Sequence, residues 1–338
     1  MAFDFTPLLP AGLPPAAARW TGLAKYNFTG GNNDAEQVPV DGLIAAATAS
    51  LKREGRNLAT YNLGHGPLGY RPLREFLAEK LKRDAGIACT ADDILIVSGS
   101  LQALDLVNGA LLARGDTVIC EKDCYQGTLT RFARLGVNAI DLIWDGKRPP
   151  ALYAMSKTGN VIHCGSFSKS IAPALRVGFL VAPWSIMSRM LPLKTDAGSG
   201  AIEQMVLADY CAPHFTTHVP ELRAALRGKL ETLMETLNEQ FGTAAEFDDP
   251  KGGIFLWVKL PDNVDTMKLY QAALKERVAI NPGNEWSTDK AHSTPRLRIC
   301  FASPTKQQIR EGIAILADVC RREFGVPARS ANVERARA

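Results

Sequence analysis

Apolar residues recur at helical spacing from Val40 to Lys52 and from Arg71 to Arg83, with charges outward and Pro72 in a first turn. A short β-rich run from Asp93 to Val97 follows, then Ser98-Gly99-Ser100 and a second helical pattern from Leu101 to Leu112. Thr117 to Glu121 and Val137 to Leu142 read as strands around a helix from Tyr125 to Leu135. Val177 to Val181 is a strongly apolar strand, and Ile186–Leu191, Ala201–Tyr210 and the amphipathic Pro220–Gln240 read as separate helices. The last part alternates differently. A glycine-led strand (Gly252 to Val258), a helix (Asp265 to Arg277), strands at Val278–Asn281 and Leu297–Phe301 and a helix from Lys306 to Phe324 predict a small α+β unit. Residues 1–37, rich in Pro and Gly, predict an extended arm and loop, and the polar, basic tail from Arg329 predicts disorder.

A chain of 338 residues exceeds one ordinary core, so two closely packed domains are expected. Net charge is +4 without a long basic run, which gives nucleic-acid binding little support and suits small anionic substrates better. The seven cysteines are scattered, without a CxxC pair, and read as reduced thiols of a cytoplasmic protein. The first twenty residues lack the basic and apolar regions of a secretion signal, and no run approaches the roughly 20 apolar residues of a membrane helix. His214 and His218 stand four apart, but no acidic or cysteine ligand accompanies them at a metal-site spacing, so no metal is expected.

Candidate chemistry concentrates in NVIHCGSFSKSIAPALRVGFLVAP, residues 160–183. Between Lys157 and Arg189 the only formal charges are Lys169 and Arg176, set among apolar residues, glycines and hydroxyls, so both are expected to be withdrawn from bulk water. Burial disfavours an ammonium and yields a free amine able to condense with an aldehyde as a Schiff base. Arg176 offers a planar fork for a phosphate, with Ser166 and Ser168 as hydroxyl donors. A reactive lysine beside a phosphate clamp points to pyridoxal 5′-phosphate. The strand–glycine–helix order around Gly99 is a second phosphate recipe, because unpaired N–H groups at a helix start face the anion.

Ser-Phe-Ser-Lys between apolar runs, followed by Pro173, Arg176 and Gly178, resembles the lysine signature of class I/II, fold-type I pyridoxal-phosphate aminotransferases. The 2-aminoadipate and kynurenine type is the nearest resemblance, along with the aminotransferase-like half of related transcription regulators. YNLGHGPLGYRPLR, residues 61–74, resembles the family's Tyr…Gly…Leu-Arg segment, and GGIFLWV its C-terminal strand. The resemblance implies a mainly parallel-sheet cofactor domain at 46–215 and a small α+β domain at 216–328. Residues 1–45 would form an arm joining the small domain, residues 329–338 a disordered tail, and the whole a homodimer. It implies that Lys169 holds the cofactor aldehyde and moves the proton, and that Ser100, the backbone of Leu101, Ser166, Ser168 and Arg176 hold phosphate. Tyr125 would stack on the cofactor ring, and Tyr61 would reach the phosphate of the partner subunit. Gly31 would lie near substrate and Arg298 would bind its α-carboxylate. Alternation faces Arg296 and Arg298 the same way, and the family register favours Arg298. Many relatives carry glutamine where this chain has Leu101.

One region departs from the pattern. The interval after Val137–Leu142 passes through Trp144-Asp145-Gly146-Lys147 straight to the lysine region, without the family's Asn-Pro-x-Gly and Asp-x-x-Tyr segments. Roughly fifty or more residues are missing by comparison with the family's domain length. The absent aspartate would pair with the pyridine nitrogen, and neither Asp141 nor Asp145 has the context to replace it. The expected reaction is amino transfer from an amino acid to a 2-oxo acid. The alternative is a degenerate binder that keeps lysine and phosphate clamp but has lost the electron sink. A regulator's effector domain is the weaker reading, since no DNA-binding module is expected before residue 20.

Overall fold

A computed structural model describes residues 8–9, 16–17, 19–142, 151–250 and 252–327. The chain begins with a two-residue strand, β1 (Tyr26–Asn27), and helices α1 (Val40–Glu54) and α2 (Arg71–Ala85). β2 (Ile94–Val97), α3 (Ser100–Leu111), β3 (Thr117–Glu121), α4 (Gln126–Leu135) and β4 (Asn138–Leu142) follow. Next come α5 (Leu152–Met155), β5 (His163–Ser166), β6 (Gly178–Val181), α6 (Trp184–Met190) and α7 (Ala201–Phe241). The C-terminal part holds β7 (Phe255–Lys259), α8 (Thr266–Lys275), β8 (Val278–Ala279), β9 (Asn281–Pro282), α9 (Lys290–Ser293), β10 (Arg296–Cys300) and α10 (Lys306–Phe324). Residues 144–147 and the tail 329–338 lie outside the described residues, as does Asp145.

Strand β6 is the centre of a three-stranded sheet, antiparallel to β2 on one side and β5 on the other. All four residues of β2 and of β6 are buried, which is why both read as unbroken apolar runs in the sequence. β3 and β4 pair in parallel, from Thr117 opposite Asn138 to Glu121 opposite Leu142. Among the described residues no strand joins β5 to this pair. In the C-terminal part β10 lies between β7 and β9, antiparallel to both, and β1 from the N-terminal arm pairs in parallel with β8.

The buried apolar residues form two principal groups. One wraps the β2–β6 sheet with α2 and the first half of α7, around Tyr70, Leu73, Leu77, Phe167 and Phe179. The other joins Tyr26 and Phe28 of the arm to the second half of α7, β7, β10 and α10. Helix ends follow local chemistry. Asp265 accepts from the Met267 N–H at 2.9 Å to cap α8, while Thr305 and Gln308 form a reciprocal capping box on α10.

α7 corrects the expectation of two helices. It is one 41-residue helix that runs through Pro213 and Pro220 and ties both cores together. Each proline removes one backbone donor, but both occupy exposed positions where water can serve the released carbonyls. The tertiary packing of Met205, Leu207 and Cys211 before them, Phe215 between them and Leu230, Leu233 and Leu237 after them keeps the axis continuous.

Candidate active site

Lys169 stands on a short turn after β5. Phe167 and Ile171, 2% and 1% exposed, anchor that turn in the core, and the residues between them are directed outward. Lys169 and Arg176 are therefore both solvent-exposed, contrary to the expectation that they are withdrawn from water: their apolar neighbours turn into the core beneath and leave the charges at the surface. The Lys169 ammonium donates to the carbonyl of Gly31, so the loop of the N-terminal arm lies directly over it. A side chain at position 31 would collide with the lysine and approach Phe255, hence the glycine. Partial burial by the surrounding protein pulls Lys169 below the ordinary lysine pKa, and the positive charges of Arg176 and Arg298 push the same way.

The candidate phosphate end is built by three segments. Ser98-Gly99-Ser100 turns into the start of α3, with Gly99 at φ 76°. Arg176, itself in left-handed backbone at φ 53°, donates to the carbonyls of Pro173 at 3.1 Å and Ser98 at 3.4 Å. Gly178 on β6 packs so tightly that a Cβ there would lie 2.7 Å from the backbone of Gly99 and Ser100. The Ser166 hydroxyl donates to Ser168 Oγ at 2.8 Å and accepts from the Ser168 N–H at 3.0 Å. Gln102 braces the turn, accepting from the Ser98 N–H at 2.7 Å and donating to Asp196 at 2.7 Å. Ser100 and Leu101 are half-buried at the helix start. A cationic fork, two hydroxyls and a free helix N-terminus around a glycine turn fit a phosphate monoester.

Opposite, Arg298 is 7% exposed and held between two aromatic faces, its Cζ 3.7 Å from the Phe255 ring centre and 3.2 Å from that of Trp286. Its Nε is buried without a hydrogen-bond partner, and burial brings its pKa down to about 10, leaving it cationic at neutral pH. Arg296, on the same strand, donates instead to the His292 carbonyl and lines a separate cavity with Asp123 and Trp257. Tyr125, 47% exposed, lies 5.7 Å from Trp286 between ring centres. Its loop is tied down by the Cys124 N–H on the Trp286 carbonyl at 2.8 Å and by a Lys122–Asp289 ion pair at 2.9 Å.

Pairwise contacts link these residues: Lys169 meets Gly31, a side chain at Gly31 would also approach Phe255, Phe255 and Trp286 flank Arg298, Trp286 lies beside Tyr125, and Arg176 reaches the Gly99 turn that opens α3 at Ser100. Tyr61 does not join them: it is 82% exposed on the surface. His65 packs edge-on against Tyr70 at 5.0 Å and faces Glu54 at 3.9 Å. His218 binds the carbonyl of Ser170 at 2.8 Å, next to the lysine, and no metal-ligand cluster occurs among the described residues. Phe255 and Trp286 were not singled out in the sequence. Phe255 was legible as the alternate of Trp257 on its strand, whereas Trp286 sits in a polar loop without periodicity.

The family model for aminotransferase class I and II matches residues 140–316. The chain is 27% identical to the uncharacterized HTH-type transcriptional regulator YdfD of Bacillus subtilis, over 73% of this chain and 65% of YdfD, so it spans just under two thirds of that relative. It is 25% identical to the 2-aminoadipate transaminase of Thermus thermophilus, covering 85% of this chain and 88% of the enzyme. In structure it is similar to the α-aminoadipate aminotransferase LysN, also of Thermus thermophilus (TM-score 0.78, 24% identity, 89% and 93% of the two chains). It is likewise similar to the kynurenine aminotransferase of Pyrococcus horikoshii, with TM-score 0.81, 24% identity and 90% and 92% coverage. The fold is that of these proteins, and no described helix is long and apolar enough to cross a membrane.

Proposed function

We propose that this chain, which belongs to the aminotransferase class I and II family, moves an amino group between an amino acid and a 2-oxo acid, using pyridoxal 5′-phosphate. The observation that carries the reading is the amine of Lys169 under the carbonyl of Gly31, close enough to both Arg176 and Arg298 for their charges to push its pKa down together with burial. The cofactor, when bound, supplies an aldehyde and a ring that takes up electrons from the substrate Cα.

This chain's own residues do the rest. Ser100, the N–H of Leu101, Ser166, Ser168 and Arg176 would hold the phosphate, and Tyr125 would cover the ring and exclude water from one face. The unpaired Nε of Arg298 leaves a donor for the substrate carboxylate, and Phe255 and Trp286 fix the plane in which that carboxylate must lie. Gly31 lets substrate approach from the arm side. The Lys169 amine, with its lowered pKa, takes the Cα proton and returns it.

A homodimer belongs to the same reading, supported by Tyr61, an aromatic left on the surface where a partner's phosphate would be reached. A cytoplasmic location is supported by seven cysteines, none of which forms a disulfide among the described residues. The interval between β4 and β5 lacks the Asn-Pro-x-Gly and Asp-x-x-Tyr segments, and no described strand joins β5 to the β3–β4 pair; both support an internal deletion.

The test is a visible absorption titration of the purified protein with pyridoxal phosphate, then addition of mixed amino acids, with Lys169→Ala as control. A lysine-dependent band that amino acids convert is expected. A band that forms and never converts, or one that Lys169→Ala leaves in place, would overturn the proposal.

A further inference from the structure

The turn that carries Lys169 is gripped at three successive residues. The Lys169 ammonium reaches the Gly31 carbonyl, the Ser170 carbonyl lies 2.8 Å from His218 Nε2, and the Ile171 carbonyl accepts from Asn33 Nδ2 at 3.2 Å. Gly31 and Asn33 belong to one arm loop, whereas His218 comes from α7. Within the turn, the Ser170 and Ile171 N–H groups both bond the Phe167 carbonyl, at 3.3 and 2.9 Å, so the carbonyls of 170 and 171 are served by side chains from elsewhere.

His218 is 7% exposed, and its ring packs edge-on against Tyr210, 6.0 Å between centres. Tyr210 in turn presses on Gly42 of α1, where a Cβ would lie 2.6 Å from its ring. The imidazole is thus fixed by packing where it meets the turn. A carbonyl oxygen accepts and cannot donate, so Nε2 carries the proton in the contact with Ser170. His214, one helical turn earlier, packs on the same Tyr210 at 5.2 Å but stays exposed. The two histidines that four-residue spacing sets side by side therefore differ: one is buried on the lysine turn and the other faces water.

We propose that His218 is a positioning residue for Lys169, holding the Ser170 carbonyl so that the neighbouring lysine meets the Gly31 carbonyl. The inference rests on Lys169 being the amine of the proposed transamination, and it adds a residue that touches neither cofactor nor substrate. Ser170 is half-buried, so without the His218 donor its carbonyl regains a partner only by moving toward water. Lys169, the next residue in the chain, moves with it. Its ammonium then leaves the partly buried surroundings, and the charges of Arg176 and Arg298, that hold its pKa below the ordinary lysine value.

The experiment is competitive labelling of amines with acetic anhydride in the purified full chain, freed of any bound aldehyde with hydroxylamine, from about pH 7 to about pH 11. Labelling is read at Lys169 by peptide mass spectrometry, with the exposed Lys268 of α8 as internal reference. His218→Phe and His218→Leu both remove the donor and differ in shape. Each is expected to raise the Lys169 labelling midpoint by about half a pH unit or more, which is about a threefold drop in free amine below the midpoint. His218→Gln, whose amide can donate to the same carbonyl, should return the midpoint to the parent's, and His214→Phe should leave it unchanged. Circular dichroism checks that each variant is folded. An unshifted midpoint in either folded variant without the donor would overturn the positioning role, and so would a shift as large in His218→Gln or His214→Phe. The labelling is independent of the cofactor titration: a shifted midpoint in a protein that forms no lysine-dependent absorption band would support the positioning and overturn the transaminase reading alone.

Discussion

Glu285 sits two residues into a short turn beside Trp286, and burial raises its pKa above the ordinary glutamate value, against the opposing pull of Lys290 and Arg298. A carboxyl whose pKa is raised on folding favours the folded state below its unfolded value of 4.5, and that contribution is lost as pH rises through the folded pKa. At neutral pH the ionised Glu285 therefore costs stability. Glu285→Gln is expected to raise the thermal midpoint at about pH 7, and the gain should close as pH falls to about 4, where the native carboxyl is protonated too. Scanning calorimetry at the two pH values checks this, and an equal gain at both would contradict it. Arg298 illustrates the complementary case. Its cation is kept in a buried site by two ring faces rather than by a carboxylate, which leaves its Nε buried without a hydrogen-bond partner.

Among the elements, the loop over Lys169 is held by a long-range contact that periodicity does not announce. Asp34, which caps the turn Ala35–Gln37, pairs with Lys229 of α7 at 2.7 Å, each side chain only 10% exposed. Lys229 also donates to the Ala302 carbonyl at 2.8 Å, just past the end of β10. One buried ammonium thus ties the arm that carries Gly31 to the strand that carries Arg298. Lys229→Met would leave Asp34 buried without its partner, at a cost of about 3–5 kcal/mol. Urea unfolding should show that loss, and adding Asp34→Asn to the variant should recover part of it. If Lys229→Met unfolds at the parent's midpoint, the pair does not hold the loop.

At the scale of the whole molecule, the sheet interior is unevenly covered. β2 and β6 are wholly buried, whereas β3 alternates between exposed and half-buried positions, with Ile119 70% exposed. A two-stranded parallel pair with one helix is a weak unit by itself. Hydrogen exchange is expected to be complete earlier in peptides spanning β3, α4 and β4 than in those spanning β2 and β6, and equal protection would show that β3–β4 shares the main core's cooperativity.

Much of this could be read from the chain alone. Unbroken apolar runs fixed β2 and β6, because strands buried on both faces need apolar side chains on both. The spacing in Lys306–Phe324 reproduced α10 to the residue. The lysine, the arginine fork and the glycine turn were visible because their chemistry is local: a few adjacent residues carry each signal. Tertiary structure decided what depends on distant partners. It directed Lys169 and Arg176 to the surface rather than inward, since only the packing of Phe167 and Ile171 determines which side of the turn faces water. It carried α7 through two prolines that would end an isolated helix, because cores on both sides hold the axis. And it set Trp286 and Phe255 on the two faces of Arg298, a contact between separate loops and strands that no periodicity within either one encodes.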